Sequence, residues 1–399
     1  MARASMAIMG RSSAGPDLAP GAGQLRGLNP QPSTWRVAFA GGGTGGHLAP
    51  GLALLEAAGP VGFEELVWFL AGRPIEDRVL ARVEDRLVRR VSLGLERGAA
   101  PRTHQLVLRA APAIRRARME LRRSGCELLL ALGGAVTLPA VLAARSLRLP
   151  VVLLEANAVA GRATRSLERF AALVCHATDS SKPSGNPTRA RHVVTGLPVQ
   201  DLSVGEEQVA RWREAQGLEA GKPLLLVLGG SQGARGLNRF VQEQAPGFSE
   251  AGIQVVHQVG PERLEEAADR TLPGYRAVEY LDPLAPALSA ADFCLCRGGS
   301  GTLSELMAVR LPAMVVPYPH HRDGHQAANA LAHGPAFEIV AEAELSPKVA
   351  ERLRDLVADR HGESSLRRAA GEVPAGLRAS EIVLRELAKL IAQRRSQVR

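Results

Sequence analysis

The 399-residue chain reads as an α/β protein made of two Rossmann-like, doubly wound parallel-sheet domains in tandem. Three observations predict this. Short β-rich runs, several of them apolar throughout, alternate with helical patterns along the chain, which suits parallel strands covered on both faces. Trp35–Ala40 runs into the loop Gly41-Gly-Gly-Thr-Gly-Gly-His47, after which Pro50 opens a helix. Leu224–Leu228 repeats that order, running into Gly229-Gly-Ser-Gln-Gly-Ala-Arg235 and a further helix.

Taken in order, residues 1–34 are rich in Gly, Ser, Pro and Ala and read as a disordered tail. Their apolar run, Met6–Met9, is too short for a signal peptide. Strands are predicted at Arg36–Ala40, Val67–Leu70, Leu128–Leu132, Val151–Leu154 and Leu173–His176 in the first domain. In the second they are predicted at Leu224–Leu228, Ile253–Gln258, Phe293–Cys296, Ala313–Val316 and Phe337–Val340. The break falls near Gly196-Leu-Pro198, giving domains at 35–197 and 198–377. The final helix, Ser380–Arg395, lies beyond the last strand, and 378–399 is expected to cross back to the first domain. The longest uncharged stretch, Leu128–Ala144, contains Gly133-Gly134 and Pro139 and reads as strand, turn and helix. A membrane span needs about 20 apolar residues.

Composition narrows the function. Hydrophobic residues at 46% and charged residues at 22% exclude a disordered chain and a fibre. Aromatics at 4% leave few platforms for stacking nucleic-acid bases. The net charge of +9 is carried almost wholly by arginine and points to an anionic partner. Cys126, Cys175, Cys294 and Cys296 sit in or beside apolar runs and read as buried thiols, with neither a disulfide framework nor zinc spacing.

Both glycine loops lie where a strand feeds a helix. There, backbone N–H groups and the positive end of the helix dipole suit a phosphate. Neither is a P-loop, because no Gly-Lys-[Ser/Thr] follows. Gly41-x-Gly43-x-x-Gly46 matches the dinucleotide fingerprint, but the expected ribose-binding acid is missing. Arg73 stands near that place, so an NADP-dependent alternative survives on a 2′-phosphate contact. A third cluster, Cys296-Arg-Gly-Gly-Ser-Gly-Thr-Leu-Ser-Glu305, again follows a strand and opens a helix. Glu305 there suits either a pair of ribose hydroxyls or the helix dipole. The loop Val316-Pro-Tyr-Pro-His-His-Arg-Asp-Gly-His-Gln-Ala-Ala-Asn329 brings His325 and Gln326, groups that hydrogen-bond sugar hydroxyls. His321 with His325 has no evident third metal ligand, and no metal site is expected.

Taken together, these motifs resemble the MurG-type members of glycosyltransferase family 28, the UDP-N-acetylglucosamine transferases that convert lipid I to lipid II in peptidoglycan synthesis. The likeness rests on Gly42-Gly-Thr-Gly-Gly-His47 with Pro50-Gly-Leu-Ala53, and on Glu155-Ala-Asn-Ala-Val-Ala-Gly161. It continues through Gly229-Gly-Ser-Gln-Gly-Ala-Arg235 with Leu237-Asn238, and Arg297-Gly-Gly-Ser-Gly-Thr-Leu-Ser-Glu305 with His325-Gln326 and Asn329. It runs from about Trp35 to the C-terminus.

The resemblance implies a GT-B fold with a cleft between the domains and an inverting transfer of N-acetylglucosamine to the 4-hydroxyl of the lipid I muramyl sugar. It places the donor on the C-terminal domain. Glu305 would hold the ribose, and Ser231, Gln232 and Gly233 would meet the diphosphate. Leu281 would contact uracil through its backbone, with Tyr280 packed on the base. Ser300, Gly301 and Thr302 would line the donor site, and His325 and Gln326 would hold the sugar hydroxyls. Asn157 would approach the sugar from the first domain, where Thr44, Gly45 and Gly46 complete the donor side. Gly43 and His47 would receive the acceptor diphosphate. Arg235 or Arg297 would offset charge on the departing UDP. His47 is a general base or a phosphate ligand; Glu155 is a second candidate base or a support for its loop. No cofactor is required, with Mg²⁺ an optional companion of the acceptor diphosphate.

The implied partners are UDP-N-acetylglucosamine, lipid I and an anionic membrane surface at the cytoplasmic face of the plasma membrane, with no nucleic acid. Other cell-wall synthesis enzymes are further candidates. Arg86, Arg89, Arg90, Arg109, Arg115, Arg116, Arg118, Arg122 and Arg123 form a basic patch. Ile75, Val79, Leu80, Val83 and Leu106–Leu108 are candidates to dip into the interface. The chain departs from the family pattern at Ala135, Leu138, Ala156, Leu197 and Gln200, all on the acceptor side or at the hinge. That keeps open a related transferase with another lipid or glycoside acceptor, and a UDP-sugar-binding protein without turnover.

Overall fold

The computed structural model describes residues 35–59, 62–81, 83, 88–95, 103–183, 189–267, 271–320, 324–359, 366, 368–369 and 377–398. The tail at 1–34, together with Arg86 and His321, lies outside the described residues, as do the side chains of Leu106–Leu108 and Arg109.

Two all-parallel sheets organise the molecule. The first contains β1 (Trp35–Gly41), β2 (Phe63–Leu70), β3 (Val88–Ser92), β4 (Leu128–Gly133), β5 (Val151–Glu155), β6 (Leu173–His176) and β7 (Arg191–Val194), in the spatial order β3-β2-β1-β4-β5-β6-β7. The second contains β8 (Leu224–Leu228), β9 (Gln254–Gln258), β10 (Tyr275–Val278), β11 (Phe293–Cys296), β12 (Ala313–Val315) and β13 (Phe337–Ile339), ordered β10-β9-β8-β11-β12-β13. The central strands are apolar on both faces because both faces are covered. Val37 and Phe39 of β1 enter one core cluster while Ala38 and Ala40 enter the other. In β8, Leu225 and Val227 pack on one side and Leu224 and Leu226 on the opposite side.

The helices in the first half are α1 (Gly45–Ala58), α2 (Pro74–Leu80), α3 (Thr103–Arg123), α4 (Thr137–Ser146) and α5 (Arg162–Leu167). They are followed by α6 (Glu206–Ala215), α7 (Arg235–Glu250), α8 (Ala285–Ala290), α9 (Ser300–Ala308), α10 (His325–Ala332), α11 (Pro347–Ala358) and α12 (Leu377–Val398). The chain passes between the sheets after β7. Leu197 packs in the core beside the first sheet, and Leu202 in the core beside the second.

Helix α12 returns to the first sheet. Val383, Leu384, Leu387 and Ile391 are buried in the cluster of Leu48, Leu54 and Trp68. Burying such side chains is worth about 1.5–3 kcal/mol each. The accompanying ion pairs, Arg191–Glu386 and Arg395–Glu127, have partly exposed arginines, and pairs of that kind contribute at most about 1 kcal/mol. The apolar stripe therefore sets the docking of α12.

Three strands went unpredicted: β3, β7 and β10. Each has an arginine within a four- or five-residue strand, and each lies at the edge of its sheet. An edge strand needs only one neighbour and tolerates charge, so its sequence carries a weaker apolar signal. The first helix also begins earlier than predicted. It starts at Gly45, with Pro50 inside it. Pro50 has no N–H for the Gly46 carbonyl, so the first turn is tied more loosely than an ordinary one.

Candidate active site

In an open parallel sheet, ligands gather at the strand C-termini where the strand order reverses. The two reversals here fall between β1 and β4 and between β8 and β11. The loops that follow are Gly42–Thr44 and Gly134–Val136 on one side, Gly229–Ala234 and Arg297–Gly299 on the other. These are the segments the motifs single out. Helices α1, α7, α9 and α10 each begin without a capping side chain and with no acid in the first turn. Their first-turn amides are thus not opposed by protein carboxylates. Thr44, Gly45 and Gly46 form one such terminus, and Ser300, Gly301 and Thr302 another. Added Cβ atoms at Gly45, Gly46 and Gly301 would meet nothing within 4 Å.

The first glycine loop is held by side chains. Its successive carbonyls accept from the Trp68 indole (3.0 Å to Gly41 O), the His47 ring (Nδ1, 3.1 Å to Gly42 O) and the Arg73 guanidinium (2.8 Å to Gly43 O). The Gly43 N–H donates to the Glu76 carboxylate at 2.6 Å. The amide expected to meet the acceptor phosphate is thus held by a carboxylate of the protein. Glu76 and Arg73 were missed as loop-building residues. The available signal was Arg73-Pro74-Ile75-Glu76, with proline at the first helical position and an acid at the third.

His47 lies in the first turn of α1, with its ring against Gly133 and Gly134. Nδ1 lies 3.1 Å from both Gly42 O and the Thr44 hydroxyl; a carbonyl can only accept, so the Gly42 contact calls for the proton of the neutral ring on Nδ1, with the hydroxyl accepting beside it and the lone pair on Nε2. Burial lowers the His47 pKa below its ordinary value. The bond to Gly42 and the charge of Glu155 oppose that shift, while Arg73 adds to it. The ring is thus neutral near pH 7.

Glu155 ends β5 and is only 3% exposed. Its carboxylate accepts from the Asn157 N–H (2.9 Å), the Gly161 N–H (2.8 Å), the Thr164 hydroxyl (2.5 Å) and the Asn157 amide (3.3 Å). A carboxylate so occupied holds its own loop in place. Asn157 is also engaged, its Oδ1 accepting from Asn329 at 3.3 Å. Asn329, 3% exposed, further accepts from the Ala158 N–H at 2.8 Å and donates to Gly298 O at 3.1 Å. It ties the β5 loop to the loop after β11.

The second glycine loop is held by its own backbone and one amide. Gly233 N–H and Gln258 Nε2 both donate to Gly230 O, at 3.0 and 3.2 Å. Gly233 sits at φ +70°, and a Cβ there would lie 2.1 Å from Val259 O. Ser231 is partly exposed and Gln232 exposed. Gln258 also receives the Leu281 N–H at 3.0 Å, so only the Leu281 carbonyl is left for a base. Burial raises Glu305, in the second turn of α9, to about 7. Gln326 holds Gly298 N–H (3.2 Å) and Tyr318 N–H (2.9 Å) with its Oε1, leaving its Nε2 for a sugar hydroxyl. His325 opens α10 beside it.

Arg297, expected to offset charge on the departing UDP, is turned toward the protein. It is 8% exposed, donates to the Val316 and Pro317 carbonyls at 3.0 and 3.2 Å, and pairs with Glu342. Arg235 is largely exposed, 3.4 Å from Glu266. The expected membrane-dipping set changes as well. Leu80 is fully buried, and Ile75, Val79 and Val83 line a cavity of about 650 Å³ between the two halves, opposite Ser231, Gln232 and Tyr280. Arg90 donates to the Leu80 and Val83 carbonyls and Arg89 pairs with Glu120, so both serve the fold.

Residues 37–175 match the glycosyltransferase family 28 N-terminal domain, and residues 224–379 match the family's C-terminal domain. The chain belongs to glycosyltransferase family 28. Among family relatives, a Streptomyces collinus protein is 37% identical over 371 residues, covering 90% of this chain and 99% of the relative. A Rhodococcus opacus protein is 37% identical over 388 residues, covering 93% and 99%. Both are named UDP-N-acetylglucosamine--N-acetylmuramyl-(pentapeptide) pyrophosphoryl-undecaprenol N-acetylglucosamine transferase. The crystal structure of Acinetobacter baumannii MurG superposes with a TM-score of 0.64 at 26% identity, covering 88% of this chain and 99% of that one. The GT-B architecture of family 28 accounts for the paired sheets and the returning α12.

Proposed function

We propose that the chain transfers N-acetylglucosamine from UDP-N-acetylglucosamine to the muramyl 4-hydroxyl of lipid I, with inversion at the anomeric carbon. The carrying observation is that relatives named for this reaction match nine-tenths of the chain, and that the glycine-rich motifs of this chain lie at both sheet reversals. In this reading, His47 Nε2 takes the proton of the 4-hydroxyl as its oxygen bonds to C1 of the sugar. The C1–O bond to UDP breaks, and its electron pair leaves on the diphosphate. The amides of Ser231 and Gln232 and those at the start of α9 stabilise that growing charge. Glu305 accepts from the ribose hydroxyls, and Gln326 Nε2 with His325 orients the sugar. In place of the donor-side role expected for Thr44, Gly45 and Gly46, their amides and the Arg73 guanidinium face the acceptor diphosphate.

Peripheral docking on an anionic membrane belongs to the same proposal. No helix among the described residues is long and apolar enough to cross a membrane. Helix α3 exposes Arg115, Arg116, Arg118, Arg122 and Arg123 around an exposed Met119. Each such charge adds about 1 kcal/mol near an anionic surface.

The test is transfer of labelled N-acetylglucosamine to a short-chain lipid I analogue, with product linkage read by NMR. A β-linked disaccharide is expected. Donor binding with no transfer to this acceptor would overturn the assignment. One observation favours a second acceptor: Ala135 is exposed beside the two glycines that pack on His47, so the acceptor side is open where family members carry an aromatic. Other prenyl-diphosphate sugars therefore belong in the same assay.

A further inference from the structure

Glu76 is 1% exposed, yet its carboxylate touches no cation in the described structure. It accepts four backbone N–H groups: Gly43 at 2.6 Å and Ala71 at 3.0 Å on Oε1, Gly72 at 2.8 Å and Arg73 at 2.9 Å on Oε2. It thereby joins the loop after β2 to the loop after β1. The fit leaves no slack, since a Cβ on Gly42 would lie 2.4 Å from Oε1.

The Gly42–Gly43 peptide is one rigid plane with its N–H and C=O on opposite edges. Its N–H edge faces Glu76. Its C=O edge accepts from His47 Nδ1 at 3.1 Å. The order is therefore carboxylate, amide, imidazole, each hydrogen bond polarising the next. A carboxylate drawing on the N–H makes the same amide's oxygen a better acceptor. That favours the tautomer with its proton on Nδ1 and leaves Nε2 more basic. Arg73 holds the adjacent carbonyl, Gly43 O, so the peptide plane has little freedom to flip.

We propose that Glu76 is a positioning residue for proton transfer: through the Gly42–Gly43 peptide it fixes the tautomer and orientation of His47. The inference rests on the reading of His47 as the base. Glu76 is buried with both oxygens on backbone amides, so it acts through the loop. Its effect is on the proton-transfer step, with donor binding left to the second sheet.

The tests separate this claim from that reading. In the full-length protein labelled with ¹⁵N-histidine, the His47 signals are identified by their loss in His47→Gln. The neutral Nδ1–H tautomer is expected in the wild type with no substrate present. An Nε2–H tautomer overturns the proposal, whether or not any Glu76 variant folds. In Glu76→Gln, an amide group faces the backbone N–H donors, and the His47 signals should become a tautomer mixture. Turnover should fall about tenfold to a hundredfold, the scale for losing a partner that orients a reacting histidine. The KM for UDP-N-acetylglucosamine should stay within about twofold, because its contacts lie elsewhere. The acid limb of the kcat/KM profile should move to lower pH, because the bond to Gly42 O that raises the ring weakens while the charged groups acting directly on it, Glu155 and Arg73, are kept. Glu76→Asp should recover part of the loss. Unchanged tautomer and pH limb in a folded Glu76→Gln would overturn the proposal. Full turnover in His47→Gln would instead remove the base assignment, while the wild-type spectrum would still decide the role of Glu76.

Discussion

The two glycine loops share a sequence pattern and are built differently. In the first, an indole, an imidazole and a guanidinium take three successive carbonyls, and a buried carboxylate takes an amide. In the second, Gly230 O receives one backbone N–H and the Gln258 amide, and no carboxylate enters the loop. The difference fits the two tasks of the proposed reaction. A loop that presents a base must hold one ring in one tautomer, so its peptides are pinned from outside. A loop that grips a diphosphate must leave amides unspent, so it is closed by steric fit, as at Gly233 against Val259.

The comparison can be broken most sharply at the first loop. His47→Gln should lower kcat by about a hundredfold to ten-thousandfold, the usual contribution of a general base, with UDP affinity unchanged by calorimetry. A matching loss of UDP affinity would show the two loops sharing the donor.

Glu305→Gln probes the other side. Hydrogen bonds to a carboxylate are worth about 1.5–3 kcal/mol, so UDP affinity should fall roughly tenfold to a hundredfold. Because burial raises Glu305 to about 7, its carboxylate fraction grows through neutral pH. Ribose hydroxyls donate to the ionised form, so wild-type UDP binding should tighten from about pH 6 to about pH 8. The variant should show a flat profile. An equal pH dependence in both would assign the effect to another group.

A smaller effect compares the sheets beneath the loops. Burial lowers His176 to about 4 and His257 to about 3; in His176 the charge of His192 adds to it. Both stay neutral when folded, and the unfolded chain protonates below about 6.5. Their stabilisation is complete above that value and is lost as pH falls toward the folded values. Denaturant unfolding at about pH 5 should show a loss on the order of 2 kcal/mol from His257 relative to about pH 7.5. His257→Gln, which keeps a polar group between Tyr275 and Asn238, should flatten that dependence.

Much of the fold was legible because central parallel strands must be apolar on both faces. Leu128–Leu132 and Leu224–Leu228 could be little else. The edge strands β3, β7 and β10 were hidden because an edge relaxes that demand. The candidate site was legible as motifs, and the roles within it were not. Glu155 and Arg297 have the residue types of a base and a phosphate ligand, yet their hydrogen bonds are spent on loops and strand ends. Leu80 looks like a membrane residue in sequence and lies fully buried in the structure.

By itself the sequence determined the alternation of strands and helices, the two glycine loops and the acidic, histidine and glutamine residues that follow them. Those features depend on local chemistry: period, chain flexibility and the presence of titratable groups. Only the tertiary structure decided which of those groups remain available. Hydrogen-bond capacity is finite, and whether Gly43 N–H, Glu155 or Arg297 has any left depends on Glu76, Thr164 and Glu342. Those partners lie 33, 9 and 45 residues away along the chain and become neighbours only when the sheets assemble.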